Sequence, residues 1–417
     1  MKKITFAILG MGNRGTNYGS RLAAMEDAEI TAIADVRPIR RDSALRLFLK
    51  DLPPERVFSS GEEMLKQPKL ADIMIICSQD QQHRAHAVAA MEKGYDLILE
   101  KPIAANLEDC KAVLEAAHKY GRRIIVCHVL RYTVFYQYLK KLIADGTLGK
   151  VESIEATEMV GYHHFCHSFV RGNWHNSETS SPMILAKSCH DLDLFLWLTG
   201  QSCKKVSSFG SLDYFKAENC PPGAAERCID CTLEDCPANA LNYYYSRLPG
   251  WPANVLHPEP TKEIVYEILK TSDYGRCVFK MDNNVVDHEV TNLLLEDGCT
   301  VNFTMTAFTG LTDRRIHVFG TKGDISGEMH DNKFRLRIYG KPDEEIDLSP
   351  LATDKSGHGG GDGRMLEDVI RLYRGDDFDS SSITVIDRST ESHFVAFAAE
   401  QSRLHDGETV DMKEFLK

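Results

Sequence analysis

Two lysines and a histidine in this 417-residue chain stand where they could move a proton. Lys101 follows Glu100 and precedes Pro102, at the end of the apolar run Tyr95-Asp96-Leu97-Ile98-Leu99. Lys187 and His190 are three apart in Lys187-Ser188-Cys189-His190-Asp191-Leu192-Asp193. That spacing predicts one face of a helix continuing through Leu194-Phe195-Leu196-Trp197. A neutral imidazole accepts a proton near neutral pH, while an ammonium steadies the alkoxide left behind or polarises a ketone in the reverse direction. Two lysines crowded around His190 would depress its pKa and keep it a base. The plainer alternative is a helix-start histidine with satisfied hydrogen bonds, beside a surface cation.

Such groups need a scaffold, and the first forty residues suggest one. The run Lys2-Lys3-Ile4-Thr5-Phe6-Ala7-Ile8-Leu9 leads into Gly10-Met11-Gly12-Asn13-Arg14-Gly15 and a helical stretch, and a second apolar run, Ile30-Thr31-Ala32-Ile33-Ala34, ends at Asp35. Strand, glycine loop, helix and acid in that order form a dinucleotide-binding fingerprint. Gly10 serves the tight turn, Gly12 lets a pyrophosphate reach main-chain N–H groups, and Gly15 lets helix and strand approach. Asn13 and Arg14 open the helix whose first N–H groups would hold the phosphates. Asp35 can accept from the ribose hydroxyls of NAD and would repel a 2′-phosphate, so NAD is favoured over NADP. Arg37, Arg40 and Arg41 are the opposing signal.

Strand and helix alternate to about residue 130: a buried run at Ala71–Cys77, a helix through Ala85–Met91, Tyr95–Glu100, a helix at Leu107–Tyr120 and Arg123–Cys127. This predicts an α/β fold with an N-terminal Rossmann doubly wound parallel sheet over residues 1–130. Beyond Gly149, period-2 stretches at Lys150–Ala156, Val290–Leu295 and Thr300–Ala307 predict antiparallel strands with one covered face. Residues 131–417 therefore read as a substrate-binding α+β domain. An insertion at about 213–263, with seven prolines and four cysteines, reads as irregular.

A net charge of −12 excludes the basic surface that nucleic acid requires. No run is long enough for a membrane span, and the few residues before the glycine loop do not make a signal peptide. Twelve scattered cysteines are expected as reduced thiols of a cytoplasmic protein.

Glu100-Lys101-Pro102, the run Cys77-Ser78-Gln79-Asp80-Gln81-Gln82-His83, the Lys187–Asp193 segment and the glycine loop together resemble the glucose–fructose oxidoreductase / inositol dehydrogenase family, Gfo/Idh/MocA. The resemblance implies a Rossmann domain followed by a domain on a large, mostly antiparallel open sheet. It implies an NAD(P)-dependent dehydrogenase of CH–OH groups in a sugar, cyclitol or polyol, assembled as a homodimer or homotetramer. Lys101 and His190 match the positions at the reacting carbon, and Ser78, His83, Glu100 and Lys101 fall at the cofactor crevice. The family commonly has an aspartate four residues before the histidine. Ala186 stands there, and Lys187 beside it could put a cation in place of the acid.

The stretch Tyr162–Trp174 is dense in aromatic and hydrogen-bonding groups suited to a sugar. His164, His167, Arg171 and Trp174 are its proposed contacts, with His358 from the loop Gly357-His358-Gly359-Gly360-Gly361-Asp362 as a further one. The alternatives are metal ligation by the three histidines and a mobile connector at the loop; no metal is assigned to the cleft. In the insertion, Cys220, Cys228, Cys231 and Cys236 could close a structural zinc site, stabilising a segment too proline-rich to build its own core. Two other functions use the same residues: a redox-assisted glycosidase with tightly bound NAD, and a non-catalytic NAD-responsive binding protein.

Overall fold

The computed structural model describes residues 3–354 and 358–417, so Lys2 and Gly357 of the runs above lie outside the described residues. Strands β1 (Ile4–Leu9), β2 (Ala28–Ala34), β3 (Val57–Phe58), β4 (Ile73–Ile76), β5 (Asp96–Leu99) and β6 (Ile124–Val126) pair in parallel in the order β3-β2-β1-β4-β5-β6. Parallel strands are covered on both faces, which is why Ile73-Met74-Ile75-Ile76 is buried without alternation. The order reverses between β1 and β4, so the ligand crevice of such a sheet opens there. The expected helix Leu107–Tyr120 forms over that range. The Asn106 side chain accepts the Asp109 N–H at its start, and Gly121 ends it at φ 59°.

A second sheet joins β7 (Val151–Met159), β8 (Cys203–Ser211), β9 (His288–Leu295), β10 (Thr300–Thr306), β11 (Asp313–Gly320), β12 (Gly323–Glu328), β13 (Lys333–Ile338), β14 (Glu344–Asp347) and β15 (Val410–Asp411). Their order is β14-β13-β12-β11-β7-β10-β9-β8-β15. The sheet is mostly antiparallel, yet β7 and β10, both expected to be antiparallel strands, pair with each other in parallel. Alternation determines which side chains face inward and leaves strand direction open. Helices Cys189–Thr199 and Ile386–Leu404 share a core with the inward face through Leu192, Phe195, Val395 and Ala399 against Val206, Leu293 and Phe303.

Two departures bear on function. The helix Gly361–Arg374 buries Met365, Leu366, Val369 and Ile370 with Phe6, Ile8 and Tyr18, so the late chain returns to the glycine-loop sheet. Cys228, Ala240, Tyr243 and Tyr244 of the insertion also form a small core with Val265 and Leu269 of the helix Lys262–Thr271 at its end. Its tyrosines supply apolar area that its prolines lack, and residues beyond its end complete the core. No helix among the described residues is long and apolar enough to cross a membrane.

Candidate active site

The glycine loop has the shape its spacing predicts. Gly10 has φ 96°, and a Cβ there would lie 2.5 Å from the Cys77 carbonyl oxygen; one at Gly15 would lie 1.9 Å from that of Gly10. A Cβ at Gly12 would meet only the Arg37 guanidinium within 4 Å, at 3.6 Å, so the space above it is open for a ligand. The helix Asn13–Ala23 starts without a side-chain cap or an acid in its first turn, leaving its N–H groups for a phosphate. Asp35 accepts the main-chain N–H of Met11 and of Arg37, both at 2.8 Å, which fixes its carboxylate at the end of β2. These residues fit a dinucleotide.

Other residues assigned to the crevice have internal partners. Arg14 binds Glu100 at 2.6 Å, Asp362 at 2.7 and 3.0 Å, and the Tyr18 hydroxyl, and Tyr18 also donates to Glu100. Arg14 and Glu100 therefore tie the loop to β5 and to the helix at 361. Arg14 and His358 hold the Asp362 carboxyl far below the usual range despite its burial. His83 faces the carbonyls of Pro102 and Ser78 at 2.7 and 3.0 Å, which pins the end of β5 to the end of β4. The Ser78 hydroxyl lies 2.9 Å from His86 Nδ1.

The charge of Lys101 acts on His190. The Lys101 ammonium donates at 2.6 Å to the carbonyl oxygen of Ala186, the residue at the position of the absent acid. A main-chain dipole thus orients the lysine, whose remaining N–H groups can serve a substrate oxygen. His190 is buried, and neither ring nitrogen has a hydrogen-bond partner among the described residues. Burial first, then Lys101, His128, His358 and Arg314, push its pKa well below that of a free histidine, so the ring is neutral. His128 and His358 stand 5.6 and 5.7 Å from it between ring centroids. His128 follows β6 and was missed in the sequence; its position just beyond a parallel strand was the available signal.

The family models agree with this geometry. "Oxidoreductase family, NAD-binding Rossmann fold" matches residues 4–128, and "Oxidoreductase family, C-terminal alpha/beta domain" matches 140–381. The chain belongs to the Gfo/Idh/MocA oxidoreductase family. It is 28% identical over 370 residues to the YteT protein of Bacillus subtilis, covering 82% of each chain. It is 24% identical over 205 residues to the myo-inositol 2-dehydrogenase of Thermotoga maritima, covering 49% of this chain and 58% of that one. In fold it is similar to an oxidoreductase from Agrobacterium radiobacter solved with NAD+, L-tartaric acid and magnesium, with TM-score 0.71, 16% identity and 99% coverage of both chains.

Within this family member, Lys187 does not share a helical face with His190. The short helix Met183–Ala186 ends at Lys187, and a new one begins at Cys189. The ammonium turns instead to Glu158, 3.4 Å away on β7. Arg314 of β11 faces Glu158 across the β7–β11 pairing and also binds Asp191 at 2.8 and 3.3 Å. Burial and Glu158 raise the Asp191 pKa to about 6 against the pull of Arg314, and burial lowers that of Lys187. The expected crowding of His190 by two lysines is corrected: Lys101 acts on it, while Lys187 belongs to a four-membered charge cluster. Glu158 lies on the same face of β7 as Ile154 and Ala156, and an acid on an apolar face was its legible signal.

The proposed substrate residues divide. His358 reaches His190 and lies 3.3 Å from Asp362. His164 stands beside Trp251, and burial with Lys187, His167, His358 and Lys101 keeps it neutral. His167 binds the Tyr244 hydroxyl at 2.7 Å. Arg171 binds the carbonyl of Arg276 and, within the insertion, the carbonyl of Ala238 and the Cys228 sulfur. Trp174 donates to Asp80 in the loop after β4, at 3.0 Å. All twelve cysteines are free thiols. Cys228, Cys231, Cys236 and Cys277 line a cavity of about 20 Å³ that Cys220 does not line. No group of three or more histidine, cysteine or acidic residues among those described is placed to hold a metal.

Proposed function

We propose that this oxidoreductase transfers hydride between NAD and a secondary hydroxyl or ketone of a sugar, cyclitol or related polyol. The observation that carries the reading is the buried, neutral His190, without a hydrogen-bond partner among the described residues and under the charge of Lys101, which ends the strand beside the dinucleotide loop's crevice. His190 takes the hydroxyl proton, and Lys101 stabilises the oxygen as the carbonyl forms. When bound, the nicotinamide supplies the hydride acceptor. Burial between the sheets excludes water from the developing alkoxide. His164 and His358 supply neutral donors or acceptors for further hydroxyls, and the myo-inositol 2-dehydrogenase relative supports a polyhydroxylated substrate. Asp35, fixed by two N–H groups, supports NAD over NADP.

A screen of sugars, uronates, inositols and glycosides, read by absorbance of reduced cofactor, tests the proposal. Turnover of one class by the wild type, abolished in Lys101→Ala and His190→Ala while NAD still binds, is the expected result. Retained turnover in both variants would overturn it.

A further inference from the structure

A buried base that takes up protons must also have a way to lose them. His190 is 3% exposed, and neither ring nitrogen has a hydrogen-bond partner among the described residues. Two histidines flank it, each beside an aspartate that an arginine holds. On the inner side stands His128, 0% exposed, with Nε2 3.8 Å from Asp193, which Arg131 binds at 2.5 and 2.6 Å. The next ring on that side, His393, lies 5.4 Å from His128 between centroids and is also fully buried. Both its nitrogens are engaged: Nδ1 stands 2.9 Å from the Ser389 carbonyl oxygen, and Nε2 accepts the Ile103 N–H at 2.9 Å. The inner row therefore has no exit. On the outer side stands His358, whose side chain is 33% exposed and whose Nδ1 is 3.3 Å from Asp362. Arg14 keeps that carboxyl ionised, so Nδ1 donates to it, and Nε2, without a partner among the described residues, is left to accept.

We propose that His358 is the proton exit of the site, taking from His190 the proton lost by the substrate and handing it to solvent. This rests on the hydride-transfer reading above and adds a step to it. In the oxidation, the substrate O–H bond breaks and its proton joins the free ring nitrogen of His190, while the C–H hydride goes to the nicotinamide. The proton on the other His190 nitrogen then passes to Nε2 of His358. His358 becomes an imidazolium paired with the Asp362 carboxylate and gives one proton to water or a buffer base. Both rings return to the neutral form, and the net change is one hydride to the dinucleotide and one proton to solvent. Ring centroids 5.7 Å apart bring facing nitrogens within hydrogen-bonding reach after a small turn, and no hydrogen bond among the described residues holds the His190 ring against turning. The surrounding groups set the direction. At His358 burial, Arg14 and Lys187 disfavour the charged ring, but Asp362 opposes them; His164, which also faces it, is neutral. At His190 burial acts together with Lys101 and Arg314, and at His128 with Arg131 and Lys101, and both rings fall well below the ordinary histidine range. The proton therefore leaves His190 towards the ring with the ionised acid beside it.

The test follows turnover by the full-length protein on the substrate found by the screen of sugars, uronates, inositols and glycosides, in dilute buffer with and without imidazole, a diffusible proton acceptor. His358→Ala should lower kcat by about a hundredfold in dilute buffer, and added imidazole should raise it again by at least about tenfold. That recovery also shows that the variant is folded, and a substrate contact or a structural role would not respond to a diffusible base. Wild-type turnover should not depend on imidazole. His358→Gln keeps a hydrogen-bonding side chain for a hydroxyl but cannot take up a proton, so it should lose as much as His358→Ala. Turnover of His358→Ala that imidazole leaves unchanged, or wild-type turnover in His358→Gln, would overturn the proton exit while the hydride-transfer reading stands. A wild type that reduces NAD with no member of the screen would overturn that reading, and the exit with it.

Discussion

Lys101 and Lys187 act on one another, yet they have opposite surroundings. Lys101 donates to a neutral carbonyl, that of Ala186, and acts on an imidazole that has no hydrogen-bond partner among the described residues. Lys187 meets Glu158, within a cluster that Arg314 and Asp191 complete. The first cation keeps its charge available to a newly formed oxyanion; the second is already compensated. Sequence proximity to His190 therefore misleads: the lysine three residues away is held by a strand, and the lysine eighty-nine positions away in the chain acts on the base.

Removing the available charge should have the largest effect. Lys101→Ala is expected to lower kcat by about a thousandfold or more while NAD affinity stays within about threefold. A kcat near wild type on the substrate found by screening would erase the distinction between the two lysines. Breaking the compensated cluster should instead affect folding. Glu158→Gln leaves Arg314 and Lys187 short of an acid and should cost about 3–5 kcal/mol in denaturant unfolding. Lost activity at unchanged stability would move the cluster into the chemistry.

Glu289 sharpens the same contrast, since it is buried on β9 with a Ser208 hydroxyl but, among the described residues, no cation in contact. Burial raises its pKa to about 7. The folded state therefore binds this proton more tightly than the unfolded chain, and the stabilisation is complete below about pH 4 and lost as pH rises through 7. Glu289→Gln should flatten that decline, by about 3 kcal/mol at most between pH 4.5 and 8. An equally steep decline in the variant would show that the group does not titrate there. Lys187→Met should have the smallest effect, under about 2 kcal/mol, because Arg314 still faces Glu158.

Much of the cofactor half was legible because its signals are local. Gly10 needs a positive φ and Gly15 a close approach, and both constraints lie within one loop. Asp35 follows a strand whose apolar run marks it. The E-K-P lysine could be placed because parallel strands deliver their carboxyl ends to one edge. The substrate half was less legible. Its alternation marked β7, β9 and β10, but an inward Glu158 was passed over because period 2 alone does not say which partner will neutralise an acid. Arg171 and Trp174 read as sugar ligands by type, and their actual partners, Cys228 and Asp80, are distant in sequence.

The chain's own pattern determined the doubly wound sheet, the glycine loop, the acid at Asp35 and the roles open to Lys101 and His190, because these depend on backbone conformation and periodicity over a few residues. The tertiary structure decided which charges are spent and which remain. Arg14 finds Asp362 at a separation of 348 residues, Lys187 finds Glu158, and the insertion finds Arg40. The physical reason is that a buried charge takes whichever partner packing brings within hydrogen-bonding distance, and packing joins segments that the sequence keeps apart.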